Sequence, residues 1–164
     1  MIVSKKLFMA NSAVFFDLGN TLVSRIDDQH RLYSDASDTL KALHDRGYRI
    51  GVLSNLEGDI SVDDVYGFLK ECGIESYIEY DLITISCELP GNILKPDKRI
   101  FDLALKKSGL LKAGDESIFV TEEMEHILAA RRYGWRAILK RNSGECRPED
   151  GECVTSLSGV LSLL

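Results

Sequence analysis

Three short apolar runs in this chain end on side chains able to do chemistry. Ala13-Val14-Phe15-Phe16 delivers Asp17, Arg49-Ile50-Gly51-Val52-Leu53 delivers Ser54 and Asn55, and Ser117-Ile118-Phe119-Val120 delivers Thr121-Glu122-Glu123. A fourth run, Leu82-Ile83-Thr84-Ile85-Ser86, precedes the segment Lys95-Pro96-Asp97. A carboxylate such as Asp17 can attack an electrophilic centre and form a covalent intermediate, which splits one hard step into two easier ones. A lysine can neutralise charge on a group in transfer, and a hydroxyl or backbone amide can hydrogen-bond its oxygens. Carboxylates with a backbone carbonyl suit a hard divalent cation, which prefers oxygen ligands. Singly these residues say little, since strand-end aspartates and serines are common in turns.

The elements that must position them alternate along the chain. Ser34 or Asp35 can cap a helix carrying Leu40 and Leu43 that stops at Gly47. Ser61 stands three residues before Asp64, a capping-box pattern, and opens a helix with Val65, Phe68 and Leu69 on one face, ended by Gly73. Asp97 can cap a helix from Arg99 to Ser108, and Ile127 to Tyr133 reads as a further helix ended by Gly134. Arg136-Ala137-Ile138-Leu139 closes the series as a fifth strand. Strands alternating with helices of this length predict an α/β fold: one Rossmann-like three-layer domain over residues 1–164 with a five-stranded, mainly parallel sheet. Its core spans about 13–139, and a polar, Gly-containing tail over 140–164 ends in Leu157, Val160, Leu161, Leu163 and Leu164. That end reads as a short helix docked on the core or as a patch that faces a partner. In an open parallel sheet the carboxyl ends of the strands share one crevice, so Asp17, Ser54, Lys95 and Glu122 are expected to converge.

Taken as an ordered set, these segments resemble the motifs of the haloacid dehalogenase-like (HAD) superfamily. Phe16-Asp17-Leu18-Gly19-Asn20-Thr21-Leu22 resembles its nucleophile loop, usually D-x-D-x-T, and Leu53-Ser54-Asn55 its strand ending in Ser or Thr. Lys95-Pro96-Asp97 with Ile100-Phe101 resembles its lysine motif. Val120-Thr121-Glu122-Glu123 followed by Ala129-Ala130-Arg131-Arg132-Tyr133-Gly134 resembles its acidic motif, usually V-G-D and then A-A-R-x-x-G. The resemblance implies a Mg2+-dependent phosphomonoester hydrolase that forms an aspartyl-phosphate on Asp17. It implies Lys95 as the charge-neutralising partner, and Ser54, the Asn55 amide and Lys95 as the phosphate-binding groups. Thr21 would steady the loop, and Asp17, the Gly19 carbonyl, Glu122 and Glu123 would serve the metal. Acids that complement a helix N-terminus are the alternative for Glu122 and Glu123.

The chain departs from the pattern at two points. The second aspartate, which protonates the leaving group and activates water, is replaced by Gly19, and Thr121-Glu122 stands for Gly-Asp. General acid–base help is typically worth about 10²–10⁴-fold, so the same residues also suit a HAD-fold binding or regulatory module with little turnover. His126, near the acidic motif, is a candidate substitute acid. About 36 residues separate Asp17 from Ser54 and about 40 separate Ser54 from Lys95, so neither interval holds a sizeable cap domain. An open site implies a phosphorylated macromolecule, a phosphorylated small molecule, or a homo-oligomer that closes the site.

A net charge of −6 argues against a nucleic-acid partner. No apolar run is long enough to span a membrane, and the basic start at Lys5-Lys6 lacks the apolar stretch of a secretory signal, so a cytoplasmic location is expected. His30 and His44 have no metal-ligand spacing, and Cys72 and Cys87 have none either. Cys146 and Cys153 flank a Pro-containing loop and are expected as reduced thiols, with a loop disulfide or a metal clip as alternatives.

Overall fold

The structure is a computed structural model that describes residues 11–26 and 29–164. The start of the chain, read above as lacking a signal, lies outside the described residues. In chain order the elements are β1 (Ala13–Phe16), β2 (Val23–Ile26), β3 (Gln29–Leu32), α1 (Ala36–Asp45), β4 (Arg49–Ser54) and α2 (Val62–Glu71). They continue as β5 (Ile83–Ile85), α3 (Lys98–Ser108), β6 (Ser117–Thr121), α4 (Met124–Arg132), β7 (Arg136–Lys140), β8 (Cys153–Val154) and α5 (Val160–Leu163).

Six strands form one sheet in the order β5-β4-β1-β6-β7-β8, with every neighbouring pair parallel. The expected five strands are all present. The sixth, β8, sets Cys153 beside Leu139 and Val154 beside Lys140; two residues are too short to carry a periodic signal. Each residue of β1 is fully buried, which is why its sequence is continuously apolar rather than alternating. Val14 and Phe16 pack on one face with Leu40, Leu43, Val65 and Leu69 of α1 and α2. Ala13 and Phe15 pack on the other with Phe101, Ala104, Ile127 and Ala130 of α3 and α4. Gly51, inside β4, permits a close approach. A Cβ there would sit 2.6 Å from the Leu82 carbonyl oxygen and 2.8 Å from the Phe15 ring, so no other residue fits.

The caps follow local chemistry. Ser61 and Asp64 form the expected capping box, and the Asp97 carboxylate accepts from the Arg99 amide. Asp35 precedes α1 but makes no side-chain cap; its carboxylate accepts from the Ser158 amide at 2.9 Å and so ties the C-terminal segment to α1. Val154, Leu157 and Val160 are buried against that same face of the sheet.

The stretch after the nucleophile loop, read as merely polar, is an antiparallel hairpin that registers Val23 with Leu32 and Arg25 with His30. Gln29, His30 and Arg31 are exposed, so a strand here shows no apolar alternation. This hairpin and α1 fill the interval to Ser54, and among the described residues no cap domain interrupts the core.

The expectation of reduced thiols at Cys146 and Cys153 is corrected: they are joined in a disulfide, with Cα atoms 5.7 Å apart. The turn between them brings the two together. Asp150 accepts from the Arg147 amide and from the Arg141 guanidinium, which folds residues 147–150 back on β7. Disulfides are rare in reducing cytosol, so this loop does not argue for the cytoplasmic expectation. No helix among the described residues is long and apolar enough to cross a membrane.

Candidate active site

The chain order β1-β4-β5 on one side and β6-β7-β8 on the other puts the topological switch at β1, where a crevice opens at the carboxyl ends of the strands. Asp17 stands there, its amide donating to the Val120 carbonyl at 3.0 Å and extending the β1–β6 ladder by one step. Its carboxylate is held on both oxygens. Oδ1 accepts from the Leu18 amide at 2.8 Å and the Ser54 hydroxyl at 3.0 Å. Oδ2 lies 2.6 Å from Lys95 Nζ and accepts from the Thr121 hydroxyl at 3.2 Å. Side chains from the ends of β4 and β6, one loop lysine and one backbone amide thus fix a single carboxylate.

Lys95 has no side-chain exposure, and Asp17 only 10 %. Burial pushes the Lys95 ammonium below the ordinary lysine range, and the carboxylates of Asp17, then Glu122 and Glu123, oppose that push. Its Nζ also donates to the Leu53 carbonyl at 2.8 Å and lies 5.1 Å from the Phe119 ring centre. The loop that carries it is held by Asn55, whose side chain donates to the Lys95 carbonyl at 3.1 Å and accepts from the Lys95 amide at 2.7 Å. The Asn55 side chain is therefore a support for Lys95. The Tyr133 hydroxyl adds a bond to the Pro96 carbonyl at 2.8 Å.

Thr21 is fully buried and donates to Glu122 Oε2 at 2.9 Å, tying the nucleophile loop to the exit of β6. Burial raises the Glu122 carboxyl above its usual range, with the charges of Asp17 and Glu123 adding to it and the bond from Thr21 opposing. Glu123 is exposed, and its amide donates to the Thr121 hydroxyl.

The donor chemistry fits a divalent cation. Asp17 Oδ2 and Glu122 Oε2 both face the Thr121 hydroxyl, at 3.2 and 3.4 Å, and its single hydrogen serves only one of them. The loop is closed by other carbonyls: Leu18 accepts from Thr21, Leu22 and Val23, and Asn20 accepts from Lys140 and Asn142. Gly19 lies between them. Among the described residues no three His, Cys, Asp or Glu side chains form a ready cage; Mg2+ commonly binds through one or two carboxylates and keeps several waters. Asp17, Glu122 and the Gly19 carbonyl would hold it.

Sequence reasoning missed part of this. Thr121 appeared only as the exit of β6, yet it bonds Asp17. Lys140, at the end of β7, is 2 % exposed and its Nζ stands 3.5 Å from the Tyr33 ring centre. It donates to the carbonyl of Asn20 at 3.3 Å and to Asn142 Oδ1, while Asn142 donates to that same carbonyl at 2.7 Å. Asn20 has φ of 55°, so these bonds hold the loop in a left-handed turn that a side chain resists. A lysine directly after the apolar run Ala137-Ile138-Leu139 was the available signal. His126, the candidate substitute acid, has a buried Nδ1 without a partner among the described residues. Burial, then the charge of Lys95, pushes its imidazole below the ordinary range. That lowering disfavours the acid role.

Beside Asp17 opens a cavity of about 360 Å³, bounded by Leu18 and Gly19 of the loop, Ser54 and Asn55 after β4, Val23 and His30 of the hairpin, and the flank of α2. A Cβ at Gly19 would meet nothing within 4 Å. The missing second aspartate thus leaves open space.

The chain is similar to known proteins. The haloacid dehalogenase-like hydrolase family matches residues 22–134, a segment that begins at the last residue of the nucleophile loop. The chain is 27% identical over 135 residues to the (S)-2-haloacid dehalogenase of Pseudomonas sp. strain YL, covering 80% of this chain and 54% of that enzyme. It therefore spans about half the length of that curated relative. An uncharacterized protein from Listeria monocytogenes serotype 4b has a similar structure, with TM-score 0.76, 25% identity, and coverage of 93% of this chain and 97% of the other. A HAD phosphatase from Thermococcus onnurineus shares the fold at TM-score 0.73 and 16% identity, covering 93% and 97%. The chain belongs to the haloacid dehalogenase-like hydrolase family.

Proposed function

We propose that this HAD-like hydrolase is a Mg2+-dependent phosphomonoesterase that works through an aspartyl-phosphate on Asp17. The observation that carries the reading is the fourfold hold on the Asp17 carboxylate with Lys95 buried against it. Fixing the attacking group in one orientation lowers the entropy cost of reaching phosphorus. Lys95 stays in place through attack and balances the charge that Asp17 shares with the incoming phosphoryl oxygens. The Ser54 hydroxyl can turn from Asp17 to a phosphoryl oxygen, and the Asn55 backbone amide supplies a second donor. A bound Mg2+ supplies the charge that offsets repulsion between a carboxylate nucleophile and a phosphate dianion. Of the nearby carboxylates Lys95 contacts Asp17 alone, while the charges of Glu122 and Glu123 also act on it, which is why the reading includes the metal.

A second reading is a carbon–halogen hydrolase with the same nucleophile. The 27% identity to a haloacid dehalogenase and the cavity beside Asp17 favour it. The described residues hold no cap domain, which disfavours it, because substitution at carbon by a carboxylate gains from exclusion of water.

Phosphate release from acetyl phosphate and p-nitrophenyl phosphate, with Mg2+ and with chelator, separates these readings. Wild type should release phosphate only with the metal, and Asp17→Asn, isosteric but not nucleophilic, should release none. Halide release from 2-chloropropionate with no phosphate release would install the second reading. A folded wild type that does neither is a binding module, as Gly19 would explain.

A further inference from the structure

We infer that the natural substrates are aryl phosphomonoesters, the aromatic leaving group lying in the cavity beside Asp17; the inference rests on the phosphomonoesterase reading. Two independent observations meet in it. The first is the cavity wall. Beyond Ser54 and Gly19 at the reacting end, Val23, Leu56, Ile60, Val65 and Phe68 line it, from β2, the loop after β4, and α2. His30 faces Phe68 edge to ring, 6.3 Å between centroids, and Asp64 is engaged with Ser61 in the capping box of α2. No lysine or arginine lines the space among the described residues, so a leaving group with its own anionic substituent meets neither of these cations there. Its volume of about 360 Å³ lies in the range of small-molecule sites, and its surface rewards a flat apolar body.

The second observation is Gly19. A glycine donates no proton, so the leaving oxygen departs as an anion or waits for water. A phenol, like the tyrosine side chain, loses its proton near pH 10. An aliphatic alcohol, like water, holds its proton far more tightly. Only the first leaves readily without a protein acid. The step balances as follows. A lone pair of an Asp17 carboxylate oxygen forms a bond to phosphorus, and the bond from phosphorus to the aryl oxygen breaks. The aryl oxide leaves with that electron pair and later takes a proton from solvent. Water then attacks the phosphorus of the aspartyl-phosphate, the acyl oxygen leaves as the Asp17 carboxylate, and inorganic phosphate and a proton are released.

The test compares 2-naphthyl phosphate with glycerol phosphate on the whole protein in Mg2+, with acetyl phosphate as a substrate that needs neither an acid nor the cavity. The expected kcat/KM for naphthyl phosphate exceeds that for glycerol phosphate by about 100-fold or more. Phe68→Gln, which puts an amide on the wall, should raise KM for naphthyl phosphate by about tenfold and shrink that ratio, while Phe68→Leu keeps it. Acetyl phosphate turnover with equal kcat/KM for the aryl and alkyl esters overturns the inference and leaves the phosphomonoesterase standing. A preference that Phe68→Gln, still folded by circular dichroism, does not reduce also overturns it. No turnover even of acetyl phosphate overturns both.

Discussion

Two walls meet at Asp17, and they are built on opposite principles. The wall formed by the ends of β1, β4 and β6 with the Lys95 loop is polar and closed: nearly every donor and acceptor there has a named partner, and Asp17, Ser54, Lys95 and Thr121 are each less than a tenth exposed. The wall formed by the hairpin and α2 is apolar and open, with an exposed outer strand and a cavity in place of directional bonds. A buried polar network tolerates little change, because each lost partner leaves a desolvated group behind. An apolar wall asks only for shape and surface. The first wall holds the chemistry and the second chooses what the chemistry acts on.

Lys95→Met breaks the polar wall most completely. It leaves Asp17 buried without its counter-charge, so the free energy of unfolding should fall by about 3–5 kcal/mol and phosphate release should be abolished; the urea midpoint measures the first and a stopped phosphate assay the second. A variant as stable as wild type would show that the pair does not anchor the wall. Gly19→Asp sharpens the contrast from the other side. The open space accepts the side chain, and release from glycerol phosphate should rise by about 10²-fold, with a smaller gain for naphthyl phosphate. Lys140→Met removes one of two bonds to the Asn20 carbonyl and the contact with Tyr33, so turnover should fall by about tenfold, a loss of about 1.4 kcal/mol of transition-state stabilisation, while the protein stays folded. Amide exchange of the nucleophile loop should quicken in the same variant.

The smallest effect concerns pH. Arg141, then the Arg147 amide, hold the Asp150 carboxyl at about 2, below its ordinary 3.8. A lowered carboxyl pKa contributes stability that is present above about 4 and lost as pH falls towards 2. Asp150→Asn should flatten the decline of the urea midpoint across that window; an unchanged slope would assign the acid sensitivity to other groups.

The core of the fold was legible because its strands are buried on both faces and read as unbroken apolar runs, and because Ser61-Asp64 and Asp97 announce their helices. The hairpin was not, since Gln29, His30 and Arg31 face solvent and leave no apolar alternation. The convergence of Asp17, Ser54, Lys95 and Glu122 followed from strand order. The role of the Asn55 side chain did not, because its partner, the Lys95 backbone, lies 40 positions away. Lys140 was hidden for a similar reason. A lysine at a strand end is ordinary until the strand's neighbours cover it.

The bonds that assemble the site span long stretches of chain: 104 positions from Asp17 to Thr121, 101 from Thr21 to Glu122, and 120 from Asn20 to Lys140. Closing such loops costs entropy that local contacts do not repay, and non-local pairing slows folding. On the ribosome, β1 emerges before β6, so the central strand waits with one edge unpaired until β6 is made. The nucleophile loop acquires its supports only when that edge is filled, and no fragment that stops short of β6 can hold Asp17 as the folded protein does.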